Sequence, residues 1–272
     1  MQGIVPFIPT EWKVQYLNAL LKVGFDRLDF GSFVSPKAIP QMQDTTQVLE
    51  QLNWKDSTTE LLAIVANRKG AEAAAIHEGI RYLGYPFSIS ETFQKRNTNS
   101  RIADSLTLVH ELQEIAVKAD KKLLVYLSMG FGNPYGDPYD ESVVLTYLEV
   151  LKGIGITHFA LSDTIGMATA DQISQLVPNL QKAAPGIEIG LHLHSTPETT
   201  TEKLEAALDA GNLRFDTALK GYGGCPMAKD DLTGNIATER LVNLLAERKL
   251  PFAYDHDAWN EAWYWNQRIF SL

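Results

Sequence analysis

Cysteine is nearly missing from this chain: Cys225 is its single thiol, which excludes an internal disulfide and a zinc cage built from several thiolates. Nothing points to an oxidising compartment, so a cytoplasmic protein is expected. Runs of Lys and Arg are missing too. The 24 basic residues stand against 33 acidic ones, for a net charge of -9, and no nucleic-acid or anionic-membrane partner is expected without a basic stretch to neutralise phosphates. No apolar run approaches the roughly 18 residues that span a bilayer. The opening Met1-Gln2-Gly3-Ile4-Val5-Pro6 has no basic start before an apolar stretch, so neither a membrane span nor export is expected. No Pro/Gly/Ser linker or low-complexity tract divides the chain. Its 272 residues, 45% hydrophobic, suit one globular domain of α/β-barrel size.

What is present is a regular alternation. Short apolar or aromatic runs at residues 27–30, 61–65, 86–90, 122–127, 158–161, 187–193 and 215–219 read as strands. Amphipathic stretches at 11–23, 39–52, 71–78, 101–119, 141–154, 170–182, 197–210 and 236–247 read as helices, with an aromatic-rich helix at 258–270. This is the sequence form of βα units around a parallel sheet. The first helix has no strand before it. The expected fold is therefore an α/β TIM barrel, (β/α)8, with the first β-strand missing from this chain, and the expected domain is 1–272, a single catalytic domain that is N-terminally incomplete. Two strand edges would then lack a partner. Reactive groups in such barrels stand at the C-terminal ends of strands and in the loops that follow.

His192-Leu193-His194 ends the run 187–191, and side chains two apart on a strand share a face, so two imidazoles leave the strand together. That is half of a metal site, or else two ordinary satisfied histidines. Asp163-Thr164 ends another strand as a reactive pair or as turn caps. Asn235 is well placed as an N-cap of the next helix. Cys225 alone would more often be a small buried apolar residue, but Gly221, Gly223, Gly224 and Pro226 around it make a loop. Lys37, Lys95 and Arg96 read as solvated charges, and 129–139 as a long loop of a kind that is often functional. Trp259 and Trp263 share a helical face that packs on its own barrel or in a homodimer.

Taken together, Ser32-Phe33-Val34-Ser35-Pro36-Lys37 with Pro40-Gln41-Met42, Ser162-Asp163-Thr164-Ile165-Gly166, His192-Leu193-His194, Gly223-Gly224-Cys225-Pro226 and Gly234-Asn235-Ile236-Ala237-Thr238-Glu239 resemble 3-hydroxy-3-methylglutaryl-CoA lyase, of the DRE-TIM metallolyase superfamily. The motifs stand in family order over nearly the whole chain. The resemblance implies His192, His194 and Asn235 as metal ligands, Cys225 on a mobile loop as the catalytic thiol, and Asp163 as a carboxylate assisting proton transfer. It implies Asp29 as a further catalytic group and Gln2, Ser32, Asn99 and Thr164 as substrate contacts. The implied cofactor is a divalent metal, Mg²⁺ or Mn²⁺, and the implied partners are an acyl-CoA substrate and a second copy of the chain in a homodimer.

Departures from the family pattern accompany the matches. The signature opens with an Arg-Asp pair of which only the tail, Gln2, is matched; the pair would precede Met1, and its loss implies weak metal binding and little turnover. Asp29 stands where Glu is usual, Ser195 where Asp or Asn follows the histidines, and the interval from Cys225 to Asn235 is one residue longer than in the animal enzyme. The chemistry implied is metal-assisted retro-Claisen cleavage of a tertiary alcohol β to a thioester, giving acetoacetate and acetyl-CoA. The competing expectations are a related metal-dependent aldolase or synthase acting on a 2-oxo acid, and a truncated non-catalytic homologue acting through association.

Overall fold

Side chains decide the elements locally, and the computed structural model, which describes residues 1–224 and 233–271, shows where they succeed. In chain order the elements are α1 (Thr10–Val23), β1 (Arg27–Ser32), α2 (Thr45–Leu49), β2 (Glu60–Ile64), α3 (Arg68–Ala75), β3 (Ile80–Ser88), α4 (Glu91–Thr98), α5 (Ile102–Lys118) and β4 (Lys122–Ser128). There follow α6 (Glu141–Gly153), β5 (His158–Asp163), α7 (Ala170–Ala183), β6 (Glu188–Ser195), α8 (Thr200–Asp209), β7 (Gly234–Asn235), α9 (Thr238–Glu247) and α10 (His256–Phe270). Short polar caps start several helices. Ser90 accepts from Phe93 N ahead of α4, Asp140 from Val143 N ahead of α6, and Thr169 and Gln172 form a reciprocal capping box on α7.

The described chain divides into two compact units. One comprises Met1–Gly84, Ile115–Lys122 and the chain from Leu245 onward; the other comprises Tyr85–Glu114 and Leu123–Leu244. In the first, β1 runs parallel to β2 with Leu28 opposite Leu61, and β2 runs parallel to the start of β3 with Ala63 opposite Leu83. Leu17, Ala19, Phe30, Ala63 and Tyr82 are buried there. Helix α10 packs on α1 of the same unit: Trp12 and Trp265 lie 6.5 Å apart, and Asn266 Nδ2 donates to Tyr16 OH at 3.1 Å. Lys13 is buried, with Nζ 2.7 Å from Asp44 Oδ1 and a further bond to Gln41 O. The Gln41 side chain in turn accepts from Ile8 N at 3.1 Å and donates to Ile4 O and Pro6 O, pinning residues 4–8.

In the second unit β4, β5 and β6 are parallel neighbours, with Leu127 opposite Leu161 and Leu161 opposite Leu191. The middles of β4 and β5 are buried on both faces, so these two read as continuous apolar runs, whereas β6 alternates Leu191 and Leu193 with the histidines. β7 is a two-residue strand antiparallel to β6, with His194 opposite Asn235 and Ser195 opposite Gly234.

Some expected boundaries move. The strand expected at 215–219 does not form a ladder. Leu191 N donates to Arg214 O and Asp216 N to Leu191 O, then Ala218 N turns to Ile236 O and Thr238 N to Ala218 O, so this segment divides its bonds between two neighbours. The helix expected at 39–52 shortens to a 3-10 turn at Pro40–Met42 and to α2, because Gln41 and Asp44 bond across to other segments rather than along a helix. β3 starts at Ile80, earlier than the expected 86, and α4 was not expected at all; its polar sequence hides the Ser90 cap that starts it.

Candidate active site

The histidine pair behaves as strand geometry requires. His192 and His194 leave the same face of β6, their rings 5.2 Å apart at the centroids, with the two Nε2 atoms facing each other at 3.2 Å. His194 is 3% exposed, and burial, then His192, then Lys203 push its pKa down to about 3. It is therefore neutral near neutral pH, the form in which an imidazole ligates a metal. His192 is half-buried; its Nδ1 lies 3.2 Å from Asp216 Oδ2, and the Tyr126 ring stands edge-on to it at 5.5 Å.

Asn235 comes beside this pair through the backbone register of β6 and β7. Its Nδ2 donates to Tyr222 O at 2.9 Å, which leaves the amide oxygen as the end suited to a cation. It does not cap α9, as its sequence position suggested, because it lies within β7 ahead of that helix. The glycines nearby are demanded by this approach. Gly221 and Gly223 have φ of +66° and +97°, and a Cβ on them would lie 2.7 Å from Asn235 O and 2.9 Å from Asn235 Nδ2. Cys225 lies outside the described residues.

Asp163 ends β5 and is 1% exposed. Its Oδ2 accepts from Lys203 Nζ at 2.7 Å and its Oδ1 from Ala168 N at 3.1 Å. Burial raises the carboxyl's pKa and outweighs the opposing pull of Lys203. Lys203, on α8, also donates to Gly166 O at 2.9 Å and to His194 O at 2.8 Å, so one buried ammonium uses all three protons to join the ends of β5 and β6. Thr164 Oγ1 accepts from Met129 N at 2.8 Å, which fastens the start of the loop after β4. Asn99 is the left-handed C-cap of α4, φ 54°, and among the described residues shares no hydrogen bond with His192 or His194.

The remaining expected site residues belong to the first unit. Asp29 is exposed on β1, and its charge favours the Met1 ammonium, which burial disfavours. Ser32 is buried, and among the described residues its Oγ has no hydrogen-bond partner. Gln2 is exposed, ahead of the pinned residues 4–8.

Asp216, Arg214 and Lys203 were not singled out by sequence. Their signals are faint but physical. Arg214 and Asp216 repeat the two-residue period of the polar row on β6, and Lys203 falls with Thr200, Leu204 and Ala207 on the buried stripe of an amphipathic helix.

A fit for a divalent cation is testable on these side chains. Among the described residues no group of three or more His, Cys, Asp or Glu is disposed to hold a metal ion. The two facing Nε2 atoms nevertheless have a 3.2 Å separation, about the span of two adjacent ligands of an octahedral ion with bonds of ~2.1 Å. With the Asn235 amide they form a mixed N/O set that suits Mg²⁺ or Mn²⁺ better than a closed zinc cage.

The chain is 34% identical to hydroxymethylglutaryl-CoA lyase YngG of Bacillus subtilis, across 91% of this chain and 82% of that protein. It is 32% identical to (R)-citramalyl-CoA lyase of Chloroflexus aurantiacus, across 90% and 80%. The solved structure of an HMG-CoA lyase from Acinetobacter baumannii, in complex with coenzyme A and 3-methylmalate, superposes with a TM-score of 0.87 at 32% identity, covering 94% of this chain and 83% of that one. The (β/α)8 class expected from the alternation is thereby borne out, with seven strands among the described residues. The HMGL-like family model matches residues 2–262, from Gln2 through the histidine pair into α10, and the chain belongs to the HMGL-like family.

Proposed function

We propose that this chain is a divalent-metal-dependent carbon-carbon lyase that cleaves 3-hydroxy-3-methylglutaryl-CoA to acetoacetate and acetyl-CoA, or a close 3-hydroxyacyl-CoA to its corresponding oxo acid and acetyl-CoA. It works in the cytoplasm as a homodimer, with 1–272 as one catalytic domain. The observation that carries the reading is the pair of imidazoles whose Nε2 atoms face each other at 3.2 Å beside Asn235. His192, His194 and the Asn235 amide oxygen would hold Mg²⁺ or Mn²⁺. The bound ion supplies Lewis acidity that lowers the pKa of the substrate hydroxyl.

The chain's own groups carry the rest. Asp163, whose proton affinity burial raises, assists removal of the hydroxyl proton, with Lys203 steadying its charge. The electron pair of the O–H bond forms the ketone of acetoacetate as the C–C bond breaks, and that bond's pair becomes the thioester enolate. Cys225 delivers a proton to the enolate carbon, which completes acetyl-CoA. Thr164 and Asn99 contact the substrate, and Gln2, Ser32 and Asp29 keep the substrate-contacting and catalytic roles their positions in the family pattern give them. The relatives act on more than one acyl group, so the choice among 3-hydroxyacyl-CoA substrates is part of the test.

Purified chain with Mn²⁺ or Mg²⁺ is expected to release acetoacetate from the 3-hydroxy-3-methylglutaryl thioester. His192→Ala, His194→Ala and Cys225→Ala should each lower kcat by about 10²–10⁴. Preferred turnover of citramalyl-CoA would reassign the acyl group. Condensation of a 2-oxo acid without thioester cleavage would overturn the reading in favour of an aldolase or synthase.

A further inference from the structure

Glu188, Gly190, His192 and His194 form one row on β6, and the parallel bridge between Leu191 and Phe215 sets Arg214 and Asp216 alongside it. Charges alternate down this line. Arg214 Nε lies 2.8 Å from Glu188 Oε1, Arg214 Nη2 lies 3.5 Å from Asp216 Oδ1, and His192 Nδ1 lies 3.2 Å from Asp216 Oδ2. Gly190 makes room for it: a Cβ there would stand 2.1 Å from Arg214 Nη1 and 2.9 Å from Arg214 Cδ. The row is thus built around the guanidinium, with the strand stripped to glycine where it passes.

The chemistry of the last link is one-directional. An ionised carboxylate only accepts, so the ring nitrogen that faces it carries the proton, and the neutral ring then keeps its lone pair on the other nitrogen. For His192 that other nitrogen is Nε2, the atom facing His194. We infer that Asp216, backed by Arg214, is a positioning residue that fixes His192 as its Nδ1–H tautomer and aims the Nε2 lone pair at the cation position. This rests on the proposed reading of His192 and His194 as ligands. Without the carboxylate, a neutral His192 is as free to carry its proton on Nε2, where it blocks ligation. Partners of this kind on metal-binding histidines typically govern 10–100-fold in metal affinity.

Two measurements on the full chain test it. Long-range ¹H–¹⁵N spectra of the metal-free protein at neutral pH read the tautomer directly. Wild type should show His192 protonated on Nδ1, and Asp216→Asn should move His192 toward the Nε2–H form. Mn²⁺ titration followed by EPR should show Kd rising 10–100-fold in Asp216→Asn and about 3–10-fold in Arg214→Met. A wild-type His192 whose Nδ1 carries no proton overturns the inference, as does an Asp216→Asn protein that binds Mn²⁺ within twofold of wild type. If Asp216→Asn fails to fold, the wild-type tautomer and the Arg214→Met titration still decide. Wild type that binds no Mn²⁺ would sink the metal-lyase reading instead, and the tautomer spectrum would remain the judge of this one.

Discussion

Lys203 is the residue on which the β5 and β6 ends depend most directly. It is 1% exposed, and its three acceptors, Asp163 Oδ2, Gly166 O and His194 O, all lie within 2.7–2.9 Å. A buried ion pair of this kind contributes little compared with an apolar pair, but removing one partner strands the other's charge in low dielectric. Lys203→Met should therefore destabilise the protein by about 3–5 kcal/mol, measured by urea unfolding. The double variant Asp163→Asn/Lys203→Met should recover part of that loss, because the stranded carboxylate is gone. Equal losses in single and double variants would show that Lys203 acts through its carbonyl bonds alone.

The loop 129–139 looks from sequence like a slack connection of Gly, Pro and Tyr, but it is fastened at several points. Tyr139 OH donates to Gly130 O at 2.9 Å, and burial, then Asp163, push its pKa up to about 12, so the hydroxyl keeps the proton it donates. Asp137 reaches the start of α4, where Thr92 N and Thr92 Oγ1 each donate to it at 2.9 Å, alongside the Ser90 hydroxyl. Burial alone would raise the Asp137 carboxyl, yet these donors hold it below the usual carboxylate range. The native carboxylate thus binds its proton more weakly than the unfolded one. Its stabilising share is complete above about pH 4 and is lost as pH falls through the lower native value. Asp137→Asn should remove that part of the acid sensitivity, and the protection of Thr92 N from amide exchange, taken relative to the intrinsic rate at each pH, should then no longer fall between about pH 5 and pH 3.

At the scale of the whole molecule, a ligand that binds only the folded chain adds to its stability by mass action. Mn²⁺ at 100 times its Kd should stabilise by about 2.7 kcal/mol and raise Tm, with a chelator reversing the shift. In the His192→Ala/His194→Ala double variant the shift should vanish. An unchanged shift there would place the bound ion elsewhere. The aromatic C-terminal helix has already found its place within its own unit: Trp265 meets Trp12, Trp259 meets Phe25 at 6.5 Å, and Arg268 lies over Trp12 at 4.4 Å. No described helix is long and apolar enough to cross a membrane.

The βα alternation and the placement of the histidine pair at a strand end were legible in the sequence, because strand and helix periods are steric properties of neighbouring residues and act over a few positions. Asn235 shows where such reading stops. Its spacing from α9 suggested a cap, but pairing with β6 placed it opposite His194 instead. Lys203 is 40 residues from Asp163, and Asp216 is 24 from His192; Lys203 and Asp216 look like ordinary surface charges until the chain closes. Local sterics and the apolar pattern determined the elements. Only tertiary structure decided which charges share a water-poor space, because the strength of an ion pair depends on the distance and dielectric that burial of distant segments creates.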